Sequence, residues 1–428
     1  MIENSTERSG IDFINSFSHS GKPVKDLGRI SRLLDTLGRP QDSLKFVHVA
    51  GTNGKGSCCE MFNSVFMEAG LQTGCFTSPY ILHYNDRIRL NGEDIDDREL
   101  SQLAARVKAA VDISPDKNDF SQFEISQAIA FLYFAKHKCD IVVLETGLGG
   151  LLDCTNVITT PVLTVITTID LDHTAILGDT IAEIAAQKAG IIKPGVPCVL
   201  SVNNSPEAVK VVSQTAAEKN SLLIIPDTRR LTVKALDCFG SSFEYSGMNY
   251  KLSMGGEHQI TNALSVIHGC GLLKDTLGLT DDNIRRGIGK AVLSARVEVL
   301  CKKPLTILDG AHNPDGLRAL AKVLSDCKMK CHAIIGMCKD KNIDDAVAAL
   351  ISYVDEFYTV DGFSDRAIDK GELAARIAAL GGEAQPCALP IDLQIKALQK
   401  VHPNDMTLIC GSLYLASQVK TDIKKAEA

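Results

Sequence analysis

The sequence predicts an α/β protein built on two sheets: a large N-terminal domain with a mostly parallel, helix-covered sheet, and a smaller α/β domain at the C-terminus. Three observations predict it. At 428 residues the chain is about three times the usual domain size. Apolar runs of strand length alternate with helical patterns, the arrangement that covers a parallel sheet with helices. After Ser294 the alternation starts afresh, which sets a boundary near Leu293 and divides the chain into residues 1–293 and 294–428.

In the first domain, residues 44–50, 72–77, 141–145, 162–168, 197–202 and 221–225 are short apolar runs that read as buried strands. Helical periodicity covers 26–37, 55–69, 99–111, 121–138, 181–189, 206–219 and 263–273. Residues 231–254 mix alternation with glycine and read as an antiparallel edge hairpin rather than part of the parallel sheet. In the second domain, strands are expected at 305–308, 331–335 and 406–410, with helices at 315–325, 343–350 and 370–379.

Composition narrows the function classes. A chain 45% hydrophobic and 23% charged is globular, which excludes a disordered tail protein. Forty-five basic against 52 acidic side chains give a net charge of −7 without a basic block, so no nucleic-acid partner is expected. The longest apolar run, around residues 129–135, is far short of the roughly 20 that a membrane span needs. Glu3, Glu7 and Asp12 argue against a secretory or transit signal. Fourteen scattered cysteines without a C-x-x-C pair indicate a reducing compartment, the cytoplasm. Cys327, Cys331, His332 and Cys338 come nearest to a metal cluster, but the spacing is loose for zinc and a packed strand is favoured.

The most informative stretch is Gly51-Thr52-Asn53-Gly54-Lys55-Gly56-Ser57, between a buried strand and an amphipathic helix. Glycines let successive N–H groups turn toward phosphate oxygens, and the helix N-terminus adds a favourable dipole. Lys55 would reach the outer phosphates, and Ser57 or Thr52 could help hold nucleotide or Mg2+. The spacing departs from G-x-x-x-x-G-K-[ST] in having Gly56 between lysine and hydroxyl. An ordinary Gly-rich turn is the alternative, disfavoured because strand, loop, lysine and helix coincide.

This loop resembles that of the Mur ligase superfamily, and specifically of the folylpolyglutamate synthase/dihydrofolate synthase family. Further blocks follow in family order: Thr77-Ser78-Pro79-Tyr80, Glu145-Thr-Gly-Leu-Gly-Gly150, Asp153-Cys-Thr-Asn156, Asp172-His173-Thr174, Lys188-Ala-Gly-Ile-Ile192, Asp309-Gly-Ala-His-Asn-Pro314, Gly336-Met-Cys-Lys-Asp-Lys341 and Gly411-Ser-Leu-Tyr414. The resemblance covers roughly residues 20–415. It implies a P-loop ATPase-type N-terminal domain and a Rossmann-like C-terminal glutamate-ligase domain. It also implies ATP and Mg2+ as cofactors, with folate or dihydropteroate and L-glutamate as substrates, and favours a monomer.

Site roles follow residue by residue. The phosphate loop, Thr52 to Ser57, would bind ATP, and Lys55 would act in catalysis. Glu145 ends a strand, and His173 and Ser78 follow others, where ligands of open α/β sheets gather. On its own residues His173 reads as structural; the resemblance makes Ser78, Glu145 and His173 Mg2+ ligands. Asp309 and His312 form a second cluster, for which an N-cap and an Asn-Pro turn are the plainer reading. By resemblance Asp309, Asn262 and Arg296 contact the nucleotide and His312 lies near the glutamate. Helix capping and a surface salt bridge are the plainer readings of Asn262 and Arg296. Val297 departs from the aromatic that family members show after the arginine.

Lys188 sits among small and apolar residues near a helix end, where complementing the helix dipole is the ordinary reading. Desolvation would favour its neutral amine, which can combine with carbon dioxide as a carbamate. The resemblance implies such an N6-carboxylysine, able to hold a second Mg2+. For the pterin side it implies the segment ending at Phe17-Ser18-His19-Ser20, the helix start Ser121-Gln122-Phe123-Glu124, and Leu152-Asp153-Cys154; Ser412 is a further substrate contact. Leu151 stands where many bifunctional members carry Arg or Lys. The expected reaction phosphorylates the acceptor carboxylate with ATP and then lets the glutamate amine attack. Another Mur-type amino-acid ligase and a P-loop nucleotide switch without chemistry are the competing readings.

Overall fold

A computed structural model describes residues 10–18 and 26–427. Contacts divide the chain into two compact units. The first comprises Met1–Tyr80, Tyr84–Thr228 and Thr261–Ile288; the second comprises Ile81–His83, Arg229–Ile260 and Gly289–Ala428. Among the described residues no helix is long and apolar enough to cross a membrane.

The first unit is built on β1 (Phe46–Ala50), β2 (Thr73–Phe76), β3 (Ile88–Leu90), β4 (Glu93–Asp94), β5 (Ile141–Glu145), β6 (Leu163–Ile166), β7 (Cys198–Leu200) and β8 (Leu223–Ile224). They lie in the order β4-β3-β2-β5-β1-β6-β7-β8. All pairings are parallel except β2–β3 and β3–β4. Every residue of β1 and β5 is buried, which is why these strands are largely apolar, His48 and Glu145 apart, rather than alternating. The two antiparallel strands β3 and β4 are only partly buried and carry Arg89, Glu93 and Asp94, so no apolar pattern announces them.

This order sets the site. β1 is flanked by β5 and β6, with Val49 opposite Glu145 and Ala50 opposite Ile166. The loops leaving the carboxyl ends of β1, β5 and β6 therefore sit side by side, with the loop after β2 beside that of β5. Chain order reverses on either side of β1, the kind of switch point at which open α/β sheets bind ligands. The Lys55–Glu68 helix returns from β1 and buries Cys58, Cys59, Met61, Phe62, Val65 and Phe66. The Gln122–Lys136 helix buries twelve of its fifteen residues, which explains its uninterrupted apolar run.

In the second unit, β9 (Leu231–Asp237), β10 (Gly240–Tyr245) and β11 (Met248–Leu252) form an antiparallel sheet of their own. The expected hairpin is thus antiparallel and, as expected, no part of the parallel sheet; a third strand joins it. On its buried face Phe243 and Tyr250 stack at 5.2 Å. The main sheet is ordered β12 (Glu298–Lys302), β13 (Leu305–Leu308), β17 (Met406–Cys410), β14 (Cys331–Ile335), β15 (Glu356–Thr359), β16 (Ala384–Pro386). Only the β12–β13 pairing is antiparallel. The three strands expected from sequence are its fully buried centre, and the unexpected ones lie outside it, half-buried or alternating.

Candidate active site

The phosphate loop is held by its own backbone and by threonines from the neighbouring strand end. Gly51 has φ 153° and a Cβ there would lie 1.7 Å from Thr167 Oγ1; Gly54 caps the following helix at φ 87°, where a Cβ would meet Asn262 Oδ1 at 2.5 Å. Both positions are closed to any side chain. The Asn53 carbonyl accepts hydrogen bonds from the Thr167 hydroxyl at 2.6 Å and the Thr168 hydroxyl at 3.2 Å. The Thr52 hydroxyl donates to the Asp170 carbonyl and accepts from the Asp170 N–H, each at 3.1 Å. Lys55 Nζ folds back on the Gly51 and Thr52 carbonyls at 3.1 and 3.2 Å. Ser57 is buried in the first turn of the helix. Thr167, Thr168 and Asp170 escaped the sequence reading because each of these bonds has a backbone group at one end, which no motif records.

Around this loop stand the other expected residues of the first unit. The Glu145 carboxylate is 3% exposed and accepts the Ser78 N–H at 3.1 Å. His173 is exposed, with a left-handed backbone at φ 52°, and its Nε2 lies 3.9 Å from Asp172 Oδ1. Lys188 is buried, 3% exposed, near the end of the Ile181–Ala189 helix. Burial pulls its amine down to about 7; the charge of Lys55 adds to this, while Asp172 and Asp153 act in the opposite direction. The lysine thus shares electrostatic surroundings with the phosphate loop.

Asp153 is buried and accepts from the Leu148 N–H at 2.8 Å, the Thr155 N–H at 3.0 Å and the Thr155 hydroxyl at 2.5 Å. Burial nevertheless raises its carboxyl above the ordinary range. The Thr155 oxygen also lies 2.9 Å from Nε2 of His48, a fully buried residue of β1 that the sequence reading did not single out. Burial pushes the His48 imidazole down to about 3, so it is neutral, and with Thr155 donating to Asp153 it is His48 that donates to Thr155.

Of the expected pterin residues, Ser121 and Glu124 form a capping box at the start of the Gln122–Lys136 helix. Both Glu124 oxygens also take Arg29, at 2.8 and 2.7 Å. These two residues carry a buried structural pair whatever else they touch. Gln122 bonds the Ser18 carbonyl and the Asn15 side chain, each at 2.9 Å. Phe123 packs on Phe76 at 5.6 Å and stands against Gly147. Cys154 is buried, while Leu151 and Leu152 are exposed. His19 and Ser20 lie outside the described residues.

Asn262 is buried against Gly54 in the first unit. In the second unit, Asp309 follows β13 and accepts the Val297 N–H at 2.8 Å and the Ala311 N–H at 2.7 Å. It thereby holds a turn in which Ala295 and Val297 adopt φ 55° and 49°, with half-buried Arg296 between them. His312 Nδ1 lies 2.9 Å from the Gly310 carbonyl, and Asn313 caps the Pro314–Cys327 helix. Ser412, buried after β17, accepts the Tyr414 N–H at 3.1 Å. His258, which the sequence reading passed over, feels Asp309 and Arg296, and burial pushes its imidazole down. Its position in Gly255-Gly-Glu-His-Gln-Ile-Thr-Asn262, one helical turn before Asn262, is the signal that could have found it.

Residues 49–269 match the Mur ligase middle domain and residues 295–413 the Mur ligase glutamate ligase domain. The dihydrofolate synthase/folylpolyglutamate synthase of Bacillus subtilis is 37% identical, over 93% of this chain and 95% of its own. The folylpolyglutamate synthase of Lacticaseibacillus casei is 35% identical, over 96% and 97%. Among solved structures, Escherichia coli FolC in complex with DHPP and ADP matches with a TM-score of 0.84 at 26% identity, over 99% of this chain and 98% of that one. Mycobacterium tuberculosis folylpolyglutamate synthase complexed with ADP and AMPPCP matches with a TM-score of 0.86 at 27% identity, over 98% of each. Two domain matches and relatives at 35–37% identity over nearly the whole of both chains show that the chain belongs to the folylpolyglutamate synthase/dihydrofolate synthase family of Mur ligases.

Proposed function

We propose that this protein is an ATP-dependent ligase that forms an amide bond between L-glutamate and folates, and likewise dihydropteroate, through an acyl phosphate. One observation carries the reading: a buried lysine poised at about 7 shares the electrostatic field of a phosphate loop that tolerates no side chain at Gly51 or Gly54. ATP is a substrate, and its terminal phosphoryl group passes to an oxygen of the acceptor carboxylate. The glutamate amine then bonds to the acyl carbon as the carbon–oxygen bond to phosphate breaks. The chain's work is positioning and charge stabilisation. Loop N–H groups and Lys55 hold the phosphates, Asn262, Arg296 and Asp309 belong to the nucleotide, and His312 and Ser412 belong to the incoming glutamate. Ser121, Gln122, Phe123, Glu124, Leu152, Asp153 and Cys154 border the pterin substrate.

The donor set suits Mg2+ in part. Glu145 and the Ser78 hydroxyl offer the oxygen ligands this ion prefers, from neighbouring strand ends, while the His173 imidazole is the less natural donor. When bound, the ion neutralises phosphate charge. Lys188 supplies a further anion as its carbamate: the neutral amine bonds to carbon dioxide and releases a proton. Functionally we assign residues 1–293 to ATP and 294–428 to glutamate, in a monomer. Fourteen free cysteines, twelve of them buried, favour the cytoplasm.

ATP hydrolysis that requires both glutamate and tetrahydrofolate or dihydropteroate, with products one glutamate heavier by mass, tests the reading; hydrolysis indifferent to both acceptors overturns it. Lys188→Ala should lose most ligase activity and regain part of it when short carboxylic acids are added. A fully active variant removes the carbamate.

A further inference from the structure

The amino-terminal edge of the second unit's main sheet gathers two histidines and a carboxylate. His332 is the second residue of β14, Asp405 precedes β17, and His402 ends the Ile391–Val401 helix. Asp405 Oδ2 lies 3.1 Å from His332 Nε2 and 3.5 Å from His402 Nδ1, and ligand atoms of all three residues lie within 4.8 Å of one another. Asp309, His312 and Ser412 follow the carboxyl ends of β13 and β17, on the opposite edge of the same sheet.

We propose that His332, His402 and Asp405 bind a divalent d-block cation, Zn2+ foremost. Ligand bonds of 2.0–2.2 Å in a tetrahedron place neighbouring donors about 3.4 Å apart. The separation between His332 and Asp405 lies near that value. Two imidazoles and one carboxylate are the donors of a borderline metal rather than of Mg2+, and three protein ligands leave a position for water.

A second observation stands apart from the cluster's own bonds. His332 is 6% exposed, and its Nδ1 has no hydrogen-bond partner. That nitrogen faces Glu356 Oε2 at 3.8 Å, across the β14–β15 pairing in which His332 stands opposite Glu356. Glu356 is itself fixed by the Tyr358 hydroxyl and the Gln385 amide, each at 2.6 Å. A ligating histidine whose second nitrogen faces an anchored carboxylate is the usual outer shell of a metal site. The His332 and His402 rings are stacked 3.9 Å apart, so the ion requires His402 to turn, which its partly exposed position on the helix end permits.

The test titrates the full-length enzyme with Co2+ as an optical probe and with Zn2+ by calorimetry. One equivalent should bind with the visible absorption of a tetrahedral ion and without a thiolate-to-cobalt band. Zn2+ should raise the melting temperature, since an ion held only by the folded chain stabilises it. His402→Ala and Asp405→Asn should abolish the stoichiometric site. Glu356→Gln should weaken it about tenfold to a hundredfold. All three should keep ligase activity. Stoichiometric binding unchanged in His402→Ala, a thiolate band, or no stoichiometric binding to the wild-type enzyme overturns the proposal.

Discussion

The carboxyl-terminal edges of the two parallel sheets hold similar residue types and treat them differently. At the first, glycines and threonines shape the loop, and Lys188 is kept where burial disfavours its charge. At the second, Asp309 commits both oxygens to backbone N–H groups and clamps a turn with alanine and valine in the left-handed region. That conformation costs about 1–2 kcal/mol per residue for side chains with a Cβ, and most for a β-branched one. The first edge is tuned by desolvation, the second by backbone geometry. Charge changes should therefore register mainly as activity at the first edge and as stability at the second.

The largest expected effect is at the first edge. Lys55→Ala should lower kcat by more than tenfold, a barrier increase above about 1.4 kcal/mol, while leaving the melting temperature nearly unchanged. Its amine bonds to two carbonyls of its own loop, those of Gly51 and Thr52. A variant retaining more than about a tenth of kcat would remove the phosphate-loop assignment.

At the second edge the contrast should reverse. Asp309→Ala strips two charge-assisted hydrogen bonds, each about 1.5–3 kcal/mol, from a turn that is already strained. Chemical denaturation should show a loss of several kcal/mol, with Asp309→Asn intermediate because it keeps one acceptor oxygen. If Asp309→Ala unfolds at the wild-type midpoint, backbone clamping is not its role.

How legible each edge was follows from the same contrast. Fully buried strands β1, β5, β13, β14 and β17 are apolar but for one residue each, and were located within two residues of their ends. β3, β4, β12 and β16 lie away from the sheet centres and are mostly half-buried or exposed, and their pairing is set by neighbours the sequence does not display. In the site, residues acting through side chains in short motifs (Lys55, Glu145, Lys188, Asp309) were legible. Thr167, Asp170 and His48 act through contacts between strands and were not. Glu124 shows a third case: its motif was seen, but its pairing with Arg29, 95 residues away, was not, and that bond gives it a structural task.

A smaller effect sharpens the desolvation side. The Lys188 amine, held at about 7 against its ordinary 10.5, binds fewer protons folded than unfolded between those values. Its burial cost is complete below pH 7 and is relieved as pH rises toward 10.5. In buffer purged of carbon dioxide, Lys188→Met should melt higher than wild type, with a larger margin at pH 6 than at pH 9. A margin independent of pH would show that the amine is not desolvated.

The smallest effect concerns the helix that carries Lys188. It opens with a capping box in which the Thr180 hydroxyl accepts the Glu183 N–H at 3.2 Å and Glu183 Oε2 takes the Thr180 hydroxyl at 2.9 Å and its N–H at 3.0 Å. The Thr180 hydroxyl, followed by the Thr180 and Asp179 N–H groups, holds the Glu183 carboxyl below its ordinary 4.5. A depressed carboxyl contributes stability above its unfolded value and loses it as pH falls through the folded one. Thr180→Ala removes the strongest of those bonds and one cap acceptor, so its melting temperature should drop slightly at pH 7 and by less in acid, where Glu183 is protonated and only the loss of the cap acceptor remains. Because the box is exposed and lies a full helix away from Lys188, ligase activity should hold. If activity falls with so small a change in stability, the helix start rather than burial alone sets the position of the amine, and the first edge depends on backbone geometry as the second does.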